Sequence, residues 1–300
     1  MNSHIDIAPD VAAALASQAP VVALESTIIS HGFPYPANVE TALAAEQVAR
    51  DNGAVPATIA IIGGRIKVGL SREQIEHLGS TPGIAKASRR DIPTLVALGD
   101  DGATTVAGTM LIAAIAGIRV FATGGIGGVH RGAEKTMDVS ADLLELARTN
   151  VAVVCAGAKS ILHLGLTLEV LETHGVPVLG YRTDEFPAFY CRESGLPVDR
   201  RLDSAHDVAE ILRVRRELGV AGGVLIANPI PIEHALDSVE VDQWVAAALL
   251  EAEGAGVRGK AVTPFLLARI HELSGGRSET ANKELVYNNV SVAAEIARSL

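Results

Sequence analysis

The sequence predicts an α/β fold: a mostly parallel sheet covered by helices on both faces, with a helical C-terminal layer. Three observations predict it. Short continuous apolar runs, the signature of strands buried on both faces, alternate with helix-length stretches through three-quarters of the chain. The last quarter carries helical pattern only. The composition is 48% hydrophobic but 3% aromatic, so the core is built from Ala, Val, Leu, Ile and Gly, which suits helices packed closely on a parallel sheet. A chain of 300 residues buries roughly 75% of its unfolded surface and needs no staples. No repeat, charged tract or low-complexity linker divides it, so residues 1–300 read as one domain.

The elements follow in order. Residues 21–24 are a continuous apolar run and read as a buried strand. Residues 37–51 read as a helix closed by Asn52-Gly53. Residues 57–62 are the next strand, which Gly63-Gly64 turns toward 66–68. Ser71, with Gln74 three residues on, has the pattern of a capping box. Asp91 precedes a helical stretch through residue 98. Residues 102–118 form a long uncharged stretch whose length invites a membrane span. It contains Thr104, Thr105 and Thr109 and is followed by Arg119, so it reads as a buried central helix. Strands are expected at 120–123, 151–155, 178–181 and 223–227, with helices at 140–150, 166–174 and 204–218. Helices at 239–253, after a Thr263-Pro264 start, and at 278–299 complete the chain.

Charge and cysteine usage narrow the function classes. The formal net charge is −10 and long Lys/Arg clusters are missing, which argues against nucleic acid as a main partner. A phosphate-bearing ligand would need a local cationic pocket. Cys155 and Cys191 lie far apart without metal-ligand spacing. One optional disulfide stays open, but two buried thiols of a reduced cytosolic protein is the simpler reading. The N-terminus has no basic region followed by an apolar core, so no signal peptide is expected. A cytoplasmic location without membrane contact follows as an expectation.

Two familiar motifs fail. In Gly124-Gly125-Ile126-Gly127-Gly128-Val129-His130, His130 stands where a dinucleotide fingerprint has its third Gly. The glycines still allow backbone to approach a ligand, or simply form a tight strand–helix corner. In Gly157-Ala158-Lys159-Ser160, Ala158 precedes the lysine and Val153 replaces the first Gly of a nucleotide-binding loop.

Other residues hold chemical promise. Lys159 follows the apolar run 151–155, and ligands of open α/β sheets bind beyond the carboxyl ends of strands. Shielding there favours a neutral amine that can attack a carbonyl, although a lysine capping a carbonyl fits the spacing equally. Glu25 ends the first strand and suits either a general acid with a raised pKa or the partner of a nearby cation. Lys86 begins a basic cluster through Arg90 that fits a phosphate or surface salt bridges. Asp138 and Asp142 would share a face if both were helical; they suit a hydrated Mg²⁺ or Mn²⁺, or helix capping by Asp138 or Ser140.

Longer strings carry a resemblance. Residues 23–32 (ALESTIISHG), 55–60 (VPATIA), 88–91 (SRRD), 124–132, 155–160 (CAGAKS), 228–231 (NPIP) and 263–267 (TPFLL) resemble those of pseudouridine-5'-phosphate glycosidases, also called indigoidine synthase A-like proteins. The likeness covers essentially the whole chain. It implies a carbon–carbon glycosidase that reversibly cleaves pseudouridine 5'-phosphate to uracil and ribose 5-phosphate. The bond broken joins ribose C1' to uracil C5 and has no leaving heteroatom to protonate, so a two-carboxylate scheme does not suffice. The implied route opens the ribose ring, forms a lysine adduct at C1' that serves as an electron sink, and ends in hydrolysis. Carried over by motif, Lys159 is the nucleophile and Glu25 the proton donor. Asp138 holds one Mn²⁺ with waters. Lys86, Val106 through its backbone, Ser140, Ala141 and Asp142 bind substrate, with His130 and Asn282 as polar residues nearby. Lys86 close to Lys159 would also lower the lysine's pKa by like-charge repulsion. The resemblance further implies a homotrimer. With the last residue at Leu300, the fused sugar-kinase domain of some relatives is not expected here. Two alternatives use the same residues: a Schiff-base aldolase acting on another phosphosugar, and a non-catalytic phosphosugar-binding protein.

Overall fold

A computed structural model describes residues 3–259 and 262–300. Its strands are β1 (Ile5–Ile7), β2 (Val21–Glu25), β3 (Val55–Ile62), β4 (Arg65–Val68), β5 (Ala85–Ala87), β6 (Gly102–Thr104), β7 (Val120–Ala122), β8 (Ala152–Cys155), β9 (Val178–Tyr181), β10 (Arg200–Leu202) and β11 (Val224–Ala227). The helices are α1 (Pro9–Ala16), α2 (Thr27–His31), α3 (Ala37–Asp51), α4 (Arg72–Ser80), α5 (Ile92–Leu98), α6 (Val106–Ala116), α7 (Ala133–Thr136), α8 (Ala141–Arg148), α9 (Leu164–Thr173), α10 (Ala205–Glu217), α11 (Ser238–Gly254), α12 (Val262–Leu273) and α13 (Arg277–Ser299).

Among the described residues the strands form one 11-stranded sheet, ordered β1-β4-β3-β2-β7-β8-β11-β9-β10, with β6 joined to β3 and β5 to β6. Every pairing is parallel except β3 with β4 and with β6. The two exceptions have local causes. Gly63-Gly64 folds β4 back on β3 as a hairpin, and β6 returns alongside β3 only at Ala60 and Ile61. From β2 the chain crosses through α3 to β3 on one side; from β7 it crosses through α8 to β8 on the other. The strand order therefore reverses between β2 and β7, and right-handed crossovers put α3 and α8 on opposite faces. Helices α3, α10 and α13 pack together on one face, and α6, α8 and α9 on the other.

Strands β7, β8 and β11 are buried along their whole length and β2 up to Leu24, as continuous apolar runs between two helical layers must be. Phe121, Ile59, Ile61, Met110 and Ile112 are fully buried at the centre. Each such side chain contributes roughly 1.5–3 kcal/mol by leaving water.

The stretch 102–118 is not one helix. Residues 102–104 pair as β6, Thr105 caps α6 through Gly108 N–H (3.3 Å), and the helix occupies 106–116. Thr104 ends the strand and Thr105 caps the helix, so two of the threonines that argued against a membrane mark the division. No helix among the described residues is long and apolar enough to cross a membrane. Thr263 lies within α12 rather than capping it. Ser71 and Gln74 form the expected capping box. Asp91 instead turns its carboxylate back to Ser88 N–H (3.0 Å). Helix α13 lies directly on β2, β7 and β8, so the C-terminal helices include part of the sheet's main cover.

Candidate active site

The reversal between β2 and β7 opens a crevice at the carboxyl ends of the strands, where an open α/β sheet offers ligands both strand ends and helix starts. A cavity of about 500 Å³ lies there. Glu25 reaches it from the end of β2, Gly124 and Gly125 from the loop after β7, and Lys159 from the loop after β8. Lys86 comes from β5, Val106 from the start of α6 and Asn282 from α13. His130, Asp138, Ser140, Ala141 and Asp142 close the wall. All the residues singled out from the sequence therefore meet in one cavity. A second cavity of about 320 Å³ opens at the amino edge of β8 and β11, beside Arg119, Arg215 and Arg216, and holds none of them.

Local chemistry places the lysine. Gly157 adopts φ +82°, and a side chain there would collide with the Pro187 carbonyl, so the turn after β8 requires glycine. The turn hands Lys159 to the Gly-rich loop. Its N–H donates to the Ile126 carbonyl (3.1 Å) and its Nζ to the Gly125 carbonyl (2.9 Å). The Gly cluster is thus both a ligand wall and a packed corner. A Cβ on Gly125 would press into the Phe189 ring, and one on Gly127 would strike Ser140 Oγ. Phe189 lines the cavity and holds a left-handed backbone (φ 64°), with its N–H donated to the Ala156 carbonyl (3.0 Å). That conformation costs of order 1–3 kcal/mol and persists because the surrounding chain fixes it.

Glu25 touches the cavity but is otherwise surrounded by protein. Burial pushes its carboxyl above the usual range. The Lys159 charge, the Thr123 hydroxyl that donates to Oε1, and Lys86 pull the other way, while Asp142 adds to the rise. The protonated form, needed for a general acid, is favoured by where the side chain sits. Ser26 and Thr27, next in the chain, donate to the Ile59 and Thr104 carbonyls (both 2.7 Å) and so tie the end of β2 to β3 and β6.

The cationic side is built from β5 and the turn after it. Lys86, Ser88, Arg89 and Arg90 all line the cavity. Arg89 is held by the buried Glu145 through Nε (2.5 Å) and Nη2 (2.7 Å), and beside it on this wall stand Lys86 and the largely exposed Arg90, whose Nε lies 3.8 Å from Asp91 Oδ1. Facing them is the start of α6, with Thr105 and Val106 at the wall, a position where backbone N–H groups and the helix dipole favour negative charge.

Asp138 and Asp142 do not share a helical face. Helix α8 begins at Ala141, capped by Ser140 Oγ through Asp142 N–H (3.2 Å), and Asp138 stands before it. Asp142 is 6% exposed and its carboxylate accepts from Ala107 N–H (2.9 Å) and Gly127 N–H (2.8 Å). It fastens the start of α6 to the Gly-rich loop. His130 N–H donates to the Asp138 carbonyl (3.0 Å), which brings the two side chains to one stretch of wall. Burial, then the charges of Lys86 and Lys159, hold the His130 ring below its ordinary value against the pull of Asp138. No group of three or more His, Cys, Asp or Glu suited to a metal occurs among the described residues. A metal here would rest on Asp138 and water, and a hard, hydrated ion such as Mn²⁺ or Mg²⁺ fits that donor set while zinc does not.

Three contributors escaped the sequence reading. Thr123, polar at the carboxyl end of an apolar strand, donates to Glu25. His31 lines the cavity, and burial followed by the Lys86 charge holds its ring below the ordinary value. Asn289 is fully buried on α13 and donates to the Thr123 carbonyl (2.8 Å). Its signal was an asparagine inside the i, i+4 stripe of Ala281, Leu285 and Ala293.

Known proteins resemble the chain throughout. The family model described as indigoidine synthase A-like protein matches residues 10–299. A pseudouridine-5'-phosphate glycosidase of Hahella chejuensis is 62% identical over 100% of this chain and 99% of its own. One of Geobacillus kaustophilus is 60% identical over 100% of both. Among solved structures, the prealnumycin C-glycosynthase AlnA in complex with ribulose 5-phosphate superposes with a TM-score of 0.92 at 44% identity, over 100% of this chain and 98% of that one. An indigoidine synthase A-like protein of Thermotoga maritima gives 0.89 at 36% identity, over 98% and 95%.

Proposed function

The chain belongs to the indigoidine synthase A-like family, and we propose that it is a C-glycosidase that reversibly cleaves pseudouridine 5'-phosphate to uracil and ribose 5-phosphate through a Lys159 Schiff base. One observation carries the reading. An acid whose site favours its protonated form and a lysine amine flank the loop after β7 in a single cavity, with a cationic wall and a helix start on one side.

The chemistry follows from that arrangement. Glu25 donates its proton to the ribose ring oxygen as the uncharged Lys159 amine forms a bond to C1' and the C1'–O bond breaks. The resulting secondary ammonium returns a proton to the Glu25 carboxylate, and its freed nitrogen lone pair forms the C1'=N iminium while the C1'–C5 bond pair leaves with uracil, whose C5 takes up the proton from Glu25. Water adds to the iminium, releasing ribose 5-phosphate and the free amine. Splitting the reaction at a covalent adduct replaces one hard carbon–carbon cleavage by easier steps. Lys86, Arg90 and the start of α6 hold the phosphate, and Asn282 and His130 contact the open sugar or base. Val106 contributes its backbone there, and Ser140, Ala141 and Asp142 shape the wall against which substrate lies. Asp138 would hold a divalent ion, which supplies Lewis-acid stabilisation of charge on substrate oxygens.

Residues 1–300 act as one catalytic domain in this reading, in the cytoplasm and as a homotrimer. Exposed apolar side chains such as Met137, Leu144 and Leu166 are available to subunit contacts. The function is tested by uracil release from pseudouridine 5'-phosphate. Release of uracil with ribose 5-phosphate is expected. Turnover of other phosphosugars without uracil would point to an aldolase, and binding without turnover to a sensor.

A further inference from the structure

The parallel ladder between β2 and β7 ends at Leu24 and Ala122. Glu25 and Thr123 stand one residue beyond the last rung, yet the Thr123 hydroxyl must meet the Glu25 carboxyl. Thr123 is held from its other sides: its N–H donates to the Val154 carbonyl of β8 (3.0 Å), the Gly124 carbonyl accepts from Ala156 N–H (2.9 Å), and the Thr123 carbonyl is held by a side chain of α13. Asn289 is fully buried on α13, and its Nδ2 donates to the Thr123 carbonyl (2.8 Å) and more weakly to the Gly124 carbonyl (3.3 Å). Carbonyls only accept, so the amide orientation is fixed: its Oδ1 faces away and accepts from Asn228 Nδ2 (2.9 Å). Asn228 is itself tied to β8, because its N–H donates to the Cys155 carbonyl (2.9 Å). The next carbonyl along the clamped loop, that of Gly125, is the one that receives Lys159 Nζ (2.9 Å).

We infer that Asn289 is a positioning residue for the reaction: by holding the Thr123 carbonyl from α13, opposite the backbone bonds from β8, it orients both the hydroxyl that meets Glu25 and the loop that receives Lys159. A buried amide satisfied on both sides has one low-energy placement, which gives the loop a rigid reference on α13. Asn228 extends the clamp to the ends of β8 and β11. The arrangement touches no reacting atom. Its effect passes through Thr123 and Gly125. This inference rests on the Glu25 and Lys159 roles proposed above.

The test compares the wild-type enzyme with Asn289→Ala, Asn228→Ala, Thr123→Val and the Thr123→Val/Asn289→Ala pair, assayed by uracil release across pH. The charged groups around Glu25 are Lys159 on the β8 loop, Asp142 on α8 and Lys86 on β5, and all remain in these variants. A misplacement of the loop costs on the order of 10- to 100-fold in kcat. The expected result is such a loss in Asn289→Ala, a smaller one in Asn228→Ala, and KM for the phosphosugar changed by less than about threefold. Loss of the Thr123 hydrogen bond removes an influence that lowers the Glu25 pKa, so the alkaline limb of the kcat profile moves to higher pH in Asn289→Ala. In the Thr123→Val background the same change moves it no further. A structural role alone would lower the fraction of active enzyme without moving that limb. Should Asn289→Ala fail to fold, Asn228→Ala and Thr123→Val carry the comparison, and an unmoved limb in both overturns the inference. Unchanged kcat and limb in folded Asn289→Ala also overturns it. Wild-type enzyme that releases no uracil would instead overturn the parent reading.

Discussion

Lys159 Nζ and the Gly125 carbonyl oxygen lie 2.9 Å apart, and Gly125 belongs to the loop that continues β7, the strand beside Glu25. Lys159 and Glu25, the proposed nucleophile and acid, come from the ends of β8 and β2, which are not paired in the sheet. The strand between them supplies the Thr123 hydroxyl for one and a carbonyl for the other. The reversal of strand order between β2 and β7 thereby brings Glu25 and Lys159 to one cavity.

Glu25 should leave a signature in pH dependence. Burial raises its folded pKa above the ordinary carboxylate value. Below the ordinary value both folded and unfolded chains hold the proton and the group carries no penalty. As pH rises through the window between the two values the unfolded chain releases a proton that the folded chain keeps, so stability falls until the folded group also ionises. Glu25→Gln should flatten that part of the stability–pH curve and abolish turnover. Thermal unfolding measured from pH 4 to 9 checks it, and an unchanged slope would contradict the burial argument.

Asp142 should matter for stability as well as for substrate. Its carboxylate accepts from two backbone N–H groups on different elements, and an asparagine in its place can serve only one of them. Asp142→Asn should cost roughly 1–3 kcal/mol and raise KM as the loop and the start of α8 separate. Denaturant unfolding measures the first effect. Full stability with raised KM would mean that the residue acts on substrate alone.

The metal role proposed for Asp138 is tested by chelation. A chelator should remove activity and added Mn²⁺ restore it, and Asp138→Asn should raise the Mn²⁺ concentration needed for half-maximal rate. Full activity in excess chelator would rule out a required ion.

The two cysteines should be inert. Both are buried and free of disulfide; burial pushes the Cys155 thiol up to about 12 and the Cys191 thiol up to about 11. Iodoacetamide at pH 8 should label neither in the native protein and both in denaturant. Rapid native labelling with loss of activity would show a reactive thiol at the site.

Much of this was legible in the sequence because it depends on local pattern. The apolar run 178–181 became a strand with the expected limits, the run 21–24 became one that continues a residue further to Glu25, and the helix at 37–51 matched residue for residue. Lys159 and Glu25 were candidates from their places at strand ends, where a structural role fitted as well; their chemical roles were implied only by the family resemblance. What escaped depends on distant pairing. Strands β1, β5, β6 and β10 are three residues long, too short for a period to show, and exist because a neighbour completes them. The stretch 102–118 looked uniform because its division is made by pairing with Ala60 and Ile61, some forty residues away. The roles of Thr123 and Asn289 appear only when α13 is laid on β7, although an asparagine within an apolar helical stripe was a visible sign.

The most direct test is mass spectrometry of the protein after borohydride reduction in the presence of ribose 5-phosphate. The account predicts one reduced pentose phosphate adduct, located on the peptide containing Lys159 and missing in a folded Lys159→Ala variant that also shows no turnover. No adduct, or an adduct on another lysine that survives in Lys159→Ala, would contradict it.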